Sequence, residues 1–141
     1  MRTLCYVSQA NFDLPTQMQH LSDILTEARQ FNLRQHIYGV LYFADGTFLQ
    51  CLEAKSEDLD QVMQRICRDP RHREIKIVFD HPISHAQFSN WSMKFIARHH
   101  PIKQFFQKHG FSHFCPEQLS AQQWQDLLHL LYELEADDLV A

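Results

Sequence analysis

The chain has 141 residues, of which 45% are hydrophobic and 21% charged, a composition typical of one globular domain with its own core. Its formal net charge is -4 and no basic run is longer than residues 71–73, which argues against nucleic acid or an anionic membrane surface as the principal partner. Nothing approaches the ~20 apolar residues of a membrane span, and the N-terminal apolar run is too short for a signal peptide, so we expect a cytoplasmic protein.

The first half of the chain predicts a strand, a helix and a hairpin. Residues 3–8 place apolar groups on both faces, as in a central strand that is covered on both sides. Apolar residues at helical spacing follow, from a predicted capping box at Thr16 to a helix end near Asn32. Two apolar runs then flank Asp45-Gly46, which is a strong hairpin signal because both residues tolerate positive φ.

The second half predicts another helix and two strands before the C-terminal region. Ser56 begins the helix and Asp69-Pro70 ends it. Strands are predicted over residues 74–80 and 88–96, from alternating apolar residues. The residues expected to share one face are Ile75, Ile77 and Phe79 in the fourth strand, and Trp91, Met93 and Phe95 in the fifth.

The element order βαββαββ predicts an α+β protein with a ferredoxin-like fold and a five-stranded mixed sheet. Right-handed crossovers place the first two helices on one face of that sheet. Two C-terminal helices should cover the other face, one over residues 102–109 ending at Gly110 and one capped by Ser120. We expect a single structural domain, with residues 1–96 as its core and residues 97–141 as a helical extension packed on it.

The third strand carries a polar residue on a face that should be buried. Strand alternation puts Gln50 between Phe48 and Leu52. A buried, unpaired amide would cost about 1–3 kcal/mol, so Gln50 needs hydrogen-bond partners. A neighbouring backbone or side-chain group is the simplest partner, and a bound ligand is the alternative.

The chain holds 10 histidines and 4 cysteines, yet their spacing is not that of a metal or redox site. It contains no HExxH, no HxxxH on a helical face and no CxxC, so we expect no metal and free thiols in a reducing compartment. Phosphate-binding loops of the GxGxxG or GxxxxGK type are also absent from the sequence.

A group of polar side chains instead converges on the space between the first two helices of the predicted fold. Apolar walls with a few convergent hydrogen-bonding groups are typical of a pocket for a flat, partly polar ligand. The converging residues are Tyr6, Asn32, Gln50, Arg65, Asp69 and His72.

Several motifs together resemble the BLUF family of flavin-based blue-light receptors. The resemblance runs from about residue 3 to residue 95, and it is specific as a combination although each motif alone is weak. The motifs are residues 4–8 (LCYVS), Asn32, residues 37–41 (IYGVL), residues 48–53 (FLQCLE), residues 69–72 (DPRH) and residues 88–93 (FSNWSM).

The resemblance implies noncovalently bound FAD between the first two helices. It implies that Tyr6 is the photochemical electron and proton donor, and that the Gln50 amide rearranges its hydrogen bonds. Asn32 would bond the polar edge of the flavin ring, and Trp91 and Met93 would respond to Gln50. The implied flavin contacts are Tyr6, Ile24, Leu25, Asn32, Gln50, Arg65, Asp69, Arg71 and His72.

We therefore predict a light sensor that is not an enzyme. It would signal to a downstream partner protein, or through a homo-oligomer, by way of the last strand and the C-terminal helices. The rival is a flavin- or nucleotide-dependent oxidoreductase on the same fold, for which no motif marks a substrate acid or base. A third alternative is an adaptor that has lost its chromophore, and the intact pair of Tyr6 and Gln50 argues against it.

Overall fold

The computed structural model describes residues 1–97 and 99–137, so residue 98 and residues 138–141 of the predicted C-terminal extension lie outside the description. The strands are β1 (Arg2–Ala10), β2 (Tyr38–Ala44), β3 (Thr47–Ala54), β4 (His72–Pro82) and β5 (Lys94–Ile96). The helices are α1 (Gln17–Gln35), α2 (Ser56–Arg68), α3 (His99–Lys108) and α4 (Ala121–Glu133).

The five strands form one mixed sheet in the order β4-β1-β3-β2-β5. β1 pairs antiparallel with β3 and β4, β2 pairs antiparallel with β3, and β5 runs parallel to β2. This arrangement confirms the predicted ferredoxin-like α+β fold. It also places β1 and β3, the two strands with Tyr6 and Gln50, next to each other near the middle of the sheet.

The two faces of the sheet carry separate apolar clusters. The cluster under α1 and α2 includes Leu21 and Ile24 from the first helix and Leu59 and Val62 from the second. The cluster on the opposite face is formed with α3 and α4. Its helical members are Ile102, Phe106, Trp124, Leu127, Leu128 and Leu131. The predicted layering, with two helices on each face, is confirmed.

Local turn and cap signals were correct in most places. Asp45 and Gly46 form the hairpin turn with φ of 51° and 77°. Ser120 makes the reciprocal hydrogen bonds of a capping box at the start of α4. The capping box predicted at Thr16 is wrong, because its hydroxyl donates to the side chain of Asp13 instead.

The predicted alternation of β4 is wrong. Ile75 packs with the cluster under α1 and α2, Phe79 packs on the opposite face, and Ile77 is 56% exposed. The physical reason is that the pairing of β4 with β1 shifts register between Cys5 and Tyr6, and again further along. Each bulge inserts an unpaired residue and so reverses the side-chain alternation that follows it.

The fifth strand is much shorter than predicted. Residues 88–93 are irregular, and only Lys94–Ile96 pairs with β2. Met93 and Phe95 lie in the cluster under α1 and α2 as expected, but Trp91 packs with the opposite cluster. Alternation holds only in an extended strand, so it does not apply to Trp91.

Candidate functional site

A cavity of about 390 Å³ lies between α1 and α2. Seven of the predicted site residues line it, namely Ile24, Asn32, Gln50, Arg65, Asp69, Arg71 and His72. Seven further residues that were not predicted as site residues complete the wall, namely Glu27, Ala28, Phe31, Val62, Ile66, Arg68 and Pro70. Tyr6 and Leu25 are not in the lining and are buried in the apolar cluster under the same helices.

A chain of three buried side chains runs from the first strand past the cavity. Tyr6 and Gln50 are directly paired across β1 and β3, and the Tyr6 hydroxyl donates to Gln50 Oε1. Gln50 Nε2 donates in turn to the sulfur of Met93 at 3.6 Å. Burial raises the pKa of Tyr6 well above its ordinary value, so its phenol stays protonated and can donate. Both ends of the Gln50 amide are therefore occupied.

Asn32 is satisfied at only one end. Its Nδ2 donates to the carbonyl oxygen of Ser92 at 2.7 Å. Its Oδ1 is buried and has no hydrogen-bond partner among the described residues. An orphaned buried acceptor costs about 1–3 kcal/mol, and so it is a strong sign of a missing donor.

His72 lies on the β4 side of the cavity. Its ring packs against Phe48 with centroids 4.6 Å apart, and its Nδ1 is 2.9 Å from the Ser8 hydroxyl. Burial lowers the pKa of His72, and this outweighs the opposite effect of the nearby Asp69 carboxylate. Ser8 was not predicted as a site residue, although its position two residues after Tyr6 puts it on the same strand face.

The arginines at the mouth of the cavity are not equivalent. Arg71 forms a bidentate pair with Asp69, with contacts of 2.7–2.8 Å, and a further contact of 2.7 Å with Glu27. Burial alone would raise the pKa of Asp69, but hydrogen bonds from Arg71 hold it below its ordinary value. Arg65 instead stacks over the ring of Phe31 at 3.9 Å, and no carboxylate within residues 1–97 and 99–137 forms an ion pair with it.

Trp91 is not brought to the cavity. Its ring lies 6.0 Å from that of Tyr132 on α4, nearly perpendicular to it, and the Lys94 ammonium sits 4.3 Å from its centroid. Met93, two residues further on, is the member of the predicted pair that contacts Gln50.

Two further features bear on the class of protein. Within residues 1–97 and 99–137, no cluster of histidine, cysteine and acidic side chains is placed to hold a metal ion. In the same residues, the helices are too short or too polar to cross a bilayer.

Comparison with known proteins gives one consistent result. The family model for BLUF, sensors of blue-light using FAD, matches residues 1–94. The photoactivated adenylate cyclase subunit beta of Euglena gracilis is 33% identical over 94 residues, which are 66% of this chain and 11% of that subunit. The chain thus spans only a small part of that relative.

Solved structures extend the likeness beyond the matched region. BlsA in its photo-activated state superimposes with a TM-score of 0.93 and 40% identity, over 98% of this chain and 99% of BlsA. BlrP1 of Klebsiella pneumoniae, solved with FMN and cyclic diGMP, has a TM-score of 0.62 and 30% identity, over 68% of this chain and 25% of its own. The expected fold and the expected class of function are confirmed: the chain belongs to the BLUF family of blue-light sensors that use FAD.

Proposed function

We propose that the chain binds FAD noncovalently between α1 and α2 and converts blue light into a change in the hydrogen bonds of Gln50. The observation that supports the proposal is the pair of buried hydrogen bonds that links Tyr6 to Gln50 and Gln50 to Met93, at the edge of an open cavity. Because the Gln50 amide is bonded to Tyr6 at one end and to Met93 at the other, a rotation of the amide changes both hydrogen bonds at once. Noncovalent binding is proposed because no cysteine is among the residues lining the cavity.

The residues present fit a flavin. The ring is flat and largely apolar, and its imide edge presents an N–H beside carbonyl oxygens. Asn32 Oδ1 is a buried acceptor that no donor in the described part of the chain reaches, which is what an imide N–H requires. Ile24 and Val62 supply apolar walls from the two helices. A cavity of about 390 Å³ lies in the range usual for cofactor sites.

FAD and FMN share the flavin ring and a first phosphate, and we propose FAD because it is the flavin named for the matching family. BlrP1 was solved with FMN, so family membership alone does not fix the cofactor. Arg65 lines the cavity and lacks a carboxylate partner among the described residues, which supports a role in binding phosphate. Arg71 is already neutralised by Asp69 and Glu27, so we assign it to holding α1 against the chain that follows α2.

A bound flavin would supply the absorption of blue light and, when excited, an acceptor for one electron. We assign the donor role to Tyr6. Its raised pKa keeps the proton on the hydroxyl until the Tyr6 side chain itself is oxidised. The proton would then move along the hydrogen bond to Gln50 Oε1, and it would return to the Tyr6 oxygen when the electron comes back to that side chain, so that only the hydrogen-bond arrangement has changed. If the amide turns over, Oε1 faces the sulfur of Met93, which cannot donate. The Gln50–Met93 contact is thereby lost, and this loss is the proposed signal.

We infer that the chain has no enzymatic activity of its own and acts on a partner protein or through self-assembly, by way of β5, α3 and α4. The cyclase relative shares only 11% of its length with this chain, so its catalytic activity is not transferred. The similarity to light-regulated signalling proteins does not favour the oxidoreductase alternative. Four free cysteines support a reducing, cytoplasmic location.

The decisive test is the absorption spectrum of the purified protein before and after blue light. We expect a yellow protein, a small reversible red shift, and release of FAD on denaturation, identified by chromatography against FMN and riboflavin. Release of FMN would overturn the assignment of the cofactor only. A colourless protein that takes up no added flavin would contradict the proposed function.

A further inference from the structure

Two charged side chains are buried in the described part of the chain, Glu53 at 3% exposure and Lys94 at 1%. Neither forms an ion pair with another described residue. Burying an ion is costly unless its hydrogen-bonding capacity is filled. In both residues the hydrogen bonds go to main-chain groups, so each of these ions holds a piece of backbone in place.

Glu53 holds the start of an irregular segment, residues 87–93, which we call the linking segment. Its Oε2 accepts from the backbone N–H of Gln87 at 2.9 Å, and its Oε1 accepts from that of Phe88 at 2.7 Å. Both carboxylate oxygens are used, and the carboxylate stands on β3, a central strand. The start of the linking segment is therefore fixed to the sheet.

Lys94 holds the other end to α4. Its Nζ donates to the carbonyl oxygens of Leu131 and Tyr132 at 2.9 and 2.7 Å. These carbonyls belong to the last turn of the helix, where they lack intrahelical partners and where the helix dipole favours a cation. The ring of Trp91 covers the same ammonium.

Between these two ends, the linking segment touches the cavity side of the protein. The carbonyl oxygen of Ser92 accepts from Asn32, and the sulfur of Met93 accepts from Gln50. Lys94 follows Met93 directly, and successive residues at the start of a strand point to opposite faces. One backbone stretch thus connects the Gln50 amide on one face with the end of α4 on the other.

We propose that the linking segment is a clamped lever, in which Glu53 fixes the start and Lys94 passes the displacement of Met93 to α4. This rests on the proposed function, since light must first change the Gln50–Met93 contact. Glu53 fixes the start of the segment, and the carbonyl oxygen of Trp91 accepts from the backbone N–H of Gly39 on β2 at 3.3 Å. A change at Met93 is therefore expected to appear at Lys94 and in the last turn of α4.

A second contact keeps α4 in place when Lys94 is changed. Beyond α4, the backbone N–H of Asp137 donates to the carbonyl oxygen of Phe95 at 2.8 Å. The carboxylate of Asp137 accepts from the backbone N–H of Ala97 at 2.9 Å. The helix is therefore attached to β5 at two points. Removal of the Lys94 ammonium should loosen the last turn without detaching the helix.

The test is hydrogen–deuterium exchange of the flavin-loaded protein in the dark and under blue light, comparing wild type with Lys94→Met. Wild type should show a light–dark difference in residues 121–133. Lys94→Met should retain the flavin red shift but lose that difference, and Lys94→Arg, which keeps the donors, should restore it. If Lys94→Met does not fold, Lys94→Gln replaces it as the uncharged variant.

The result differs if Lys94 only stabilises α4. In Lys94→Met, exchange in α4 would then rise equally in the dark and under light, and the light–dark difference would persist. That outcome would overturn the proposal. Lys108→Met, an exposed lysine in the last turn of α3, is the charge control and should behave as wild type. Glu53→Gln should raise exchange of the linking segment in the dark and reduce the difference in α4.

The failures of the two proposals are distinguishable. A wild-type protein with a normal red shift but no exchange difference in α4 would overturn the lever and leave the light-sensing proposal intact. A wild-type protein with flavin but no red shift would overturn the light-sensing proposal itself.

Discussion

The amide of Gln50 donates to the sulfur of Met93 over 3.6 Å on the face of the sheet that α1 and α2 cover. Trp91, only two residues away, packs on the other face against Lys94 and the α4 residue Tyr132. The resemblance assigned one role to both residues. In the structure Met93 contacts the amide, whereas Trp91 contacts the ammonium that holds α4.

This difference predicts that Met93→Leu affects dark recovery and that Trp91→Phe does not. Met93→Leu keeps the volume but removes the acceptor, so Gln50 loses a buried partner at a cost of about 1 kcal/mol, equivalent to about fivefold in an equilibrium. We expect the thermal recovery of the dark-state spectrum to change by about that factor. Trp91→Phe should leave the recovery rate close to wild type. A larger effect of Trp91→Phe than of Met93→Leu would contradict the assignment.

The central part of the site could be predicted from the sequence. Asp45-Gly46 fixes a two-residue hairpin, and from there alternation determines which face Gln50 occupies. Tyr6 follows from the same alternation in β1, because that strand pairs next to β3 in this topology. The predicted turn and strand alternation are found in the structure because the contacts across the sheet favour the same arrangement as the local sequence does.

The rest of the site depends on features that periodicity does not encode. The bulges in β4, where Glu74 has a φ of 54°, reverse which residues face inward. The irregular linking segment moves Trp91 to the opposite face. Lys94 is a charged residue near a sheet edge, which normally indicates exposure, and only the carbonyls of α4 explain its burial.

Binding and switching should separate in variants of the Tyr6–Gln50 pair. Tyr6→Phe removes one hydroxyl, and Gln50→Leu removes the amide at similar bulk. Most apolar contacts to the flavin remain in both, so both proteins should purify yellow. The red shift should be abolished in both, as measured by difference spectra after blue light. A normal photocycle in either variant would contradict the proposed roles.

Asn32 should contribute to flavin affinity through its unpaired oxygen. We expect Asn32→Ala to raise the flavin dissociation constant about ten- to hundredfold, the effect of losing roughly 1.4–3 kcal/mol of buried hydrogen bonding. Equilibrium titration of the flavin-free protein measures it. Asn90→Ala, at an exposed asparagine, is the matched control and should bind as wild type does.

A thermodynamic cycle measures the same coupling between Asn32 and the flavin by a second route. In the flavin-free protein Asn32 Oδ1 has no partner among the described residues, so Asn32→Ala should lower the free energy of unfolding less there than in the flavin-bound protein. Equal losses in the two forms would mean that Asn32 acts only through its contact with Ser92.

Arg65 and Arg71 should respond differently when their charges are removed. Arg65→Gln should weaken binding of FAD and FMN by about tenfold, the value of one charge-assisted contact to phosphate, and leave binding of riboflavin unchanged. Arg71→Gln should instead lower the free energy of unfolding, because it leaves Asp69 and Glu27 without their cation. If Arg65→Gln weakened riboflavin as much as FAD, its role would be in packing against Phe31 and not in phosphate binding.

His72 predicts how stability depends on pH. Burial lowers the pKa of His72 below its ordinary value of 6.5, so the ring is neutral in the folded protein when the unfolded chain has already begun to take up a proton. At pH values between 6.5 and the lower pKa of the folded protein, the unfolded state binds more protons than the folded state does. The free energy of unfolding must therefore fall as the pH falls. The loss cannot exceed one proton, or about 1.4 kcal/mol per pH unit.

The chain holds 10 histidines, so the measurement must isolate the contribution of His72. His72→Phe keeps a ring against Phe48 but cannot titrate, and it leaves Ser8 without its partner at every pH. Denaturant unfolding of both proteins above and below pH 6.5 should show a shallower decline on the acid side in the variant. His113→Phe, at an exposed position, controls for the exchange of histidine for phenylalanine. Parallel pH profiles for wild type and His72→Phe would mean that the ring of His72 is solvated in the folded protein and does not form part of a closed pocket wall.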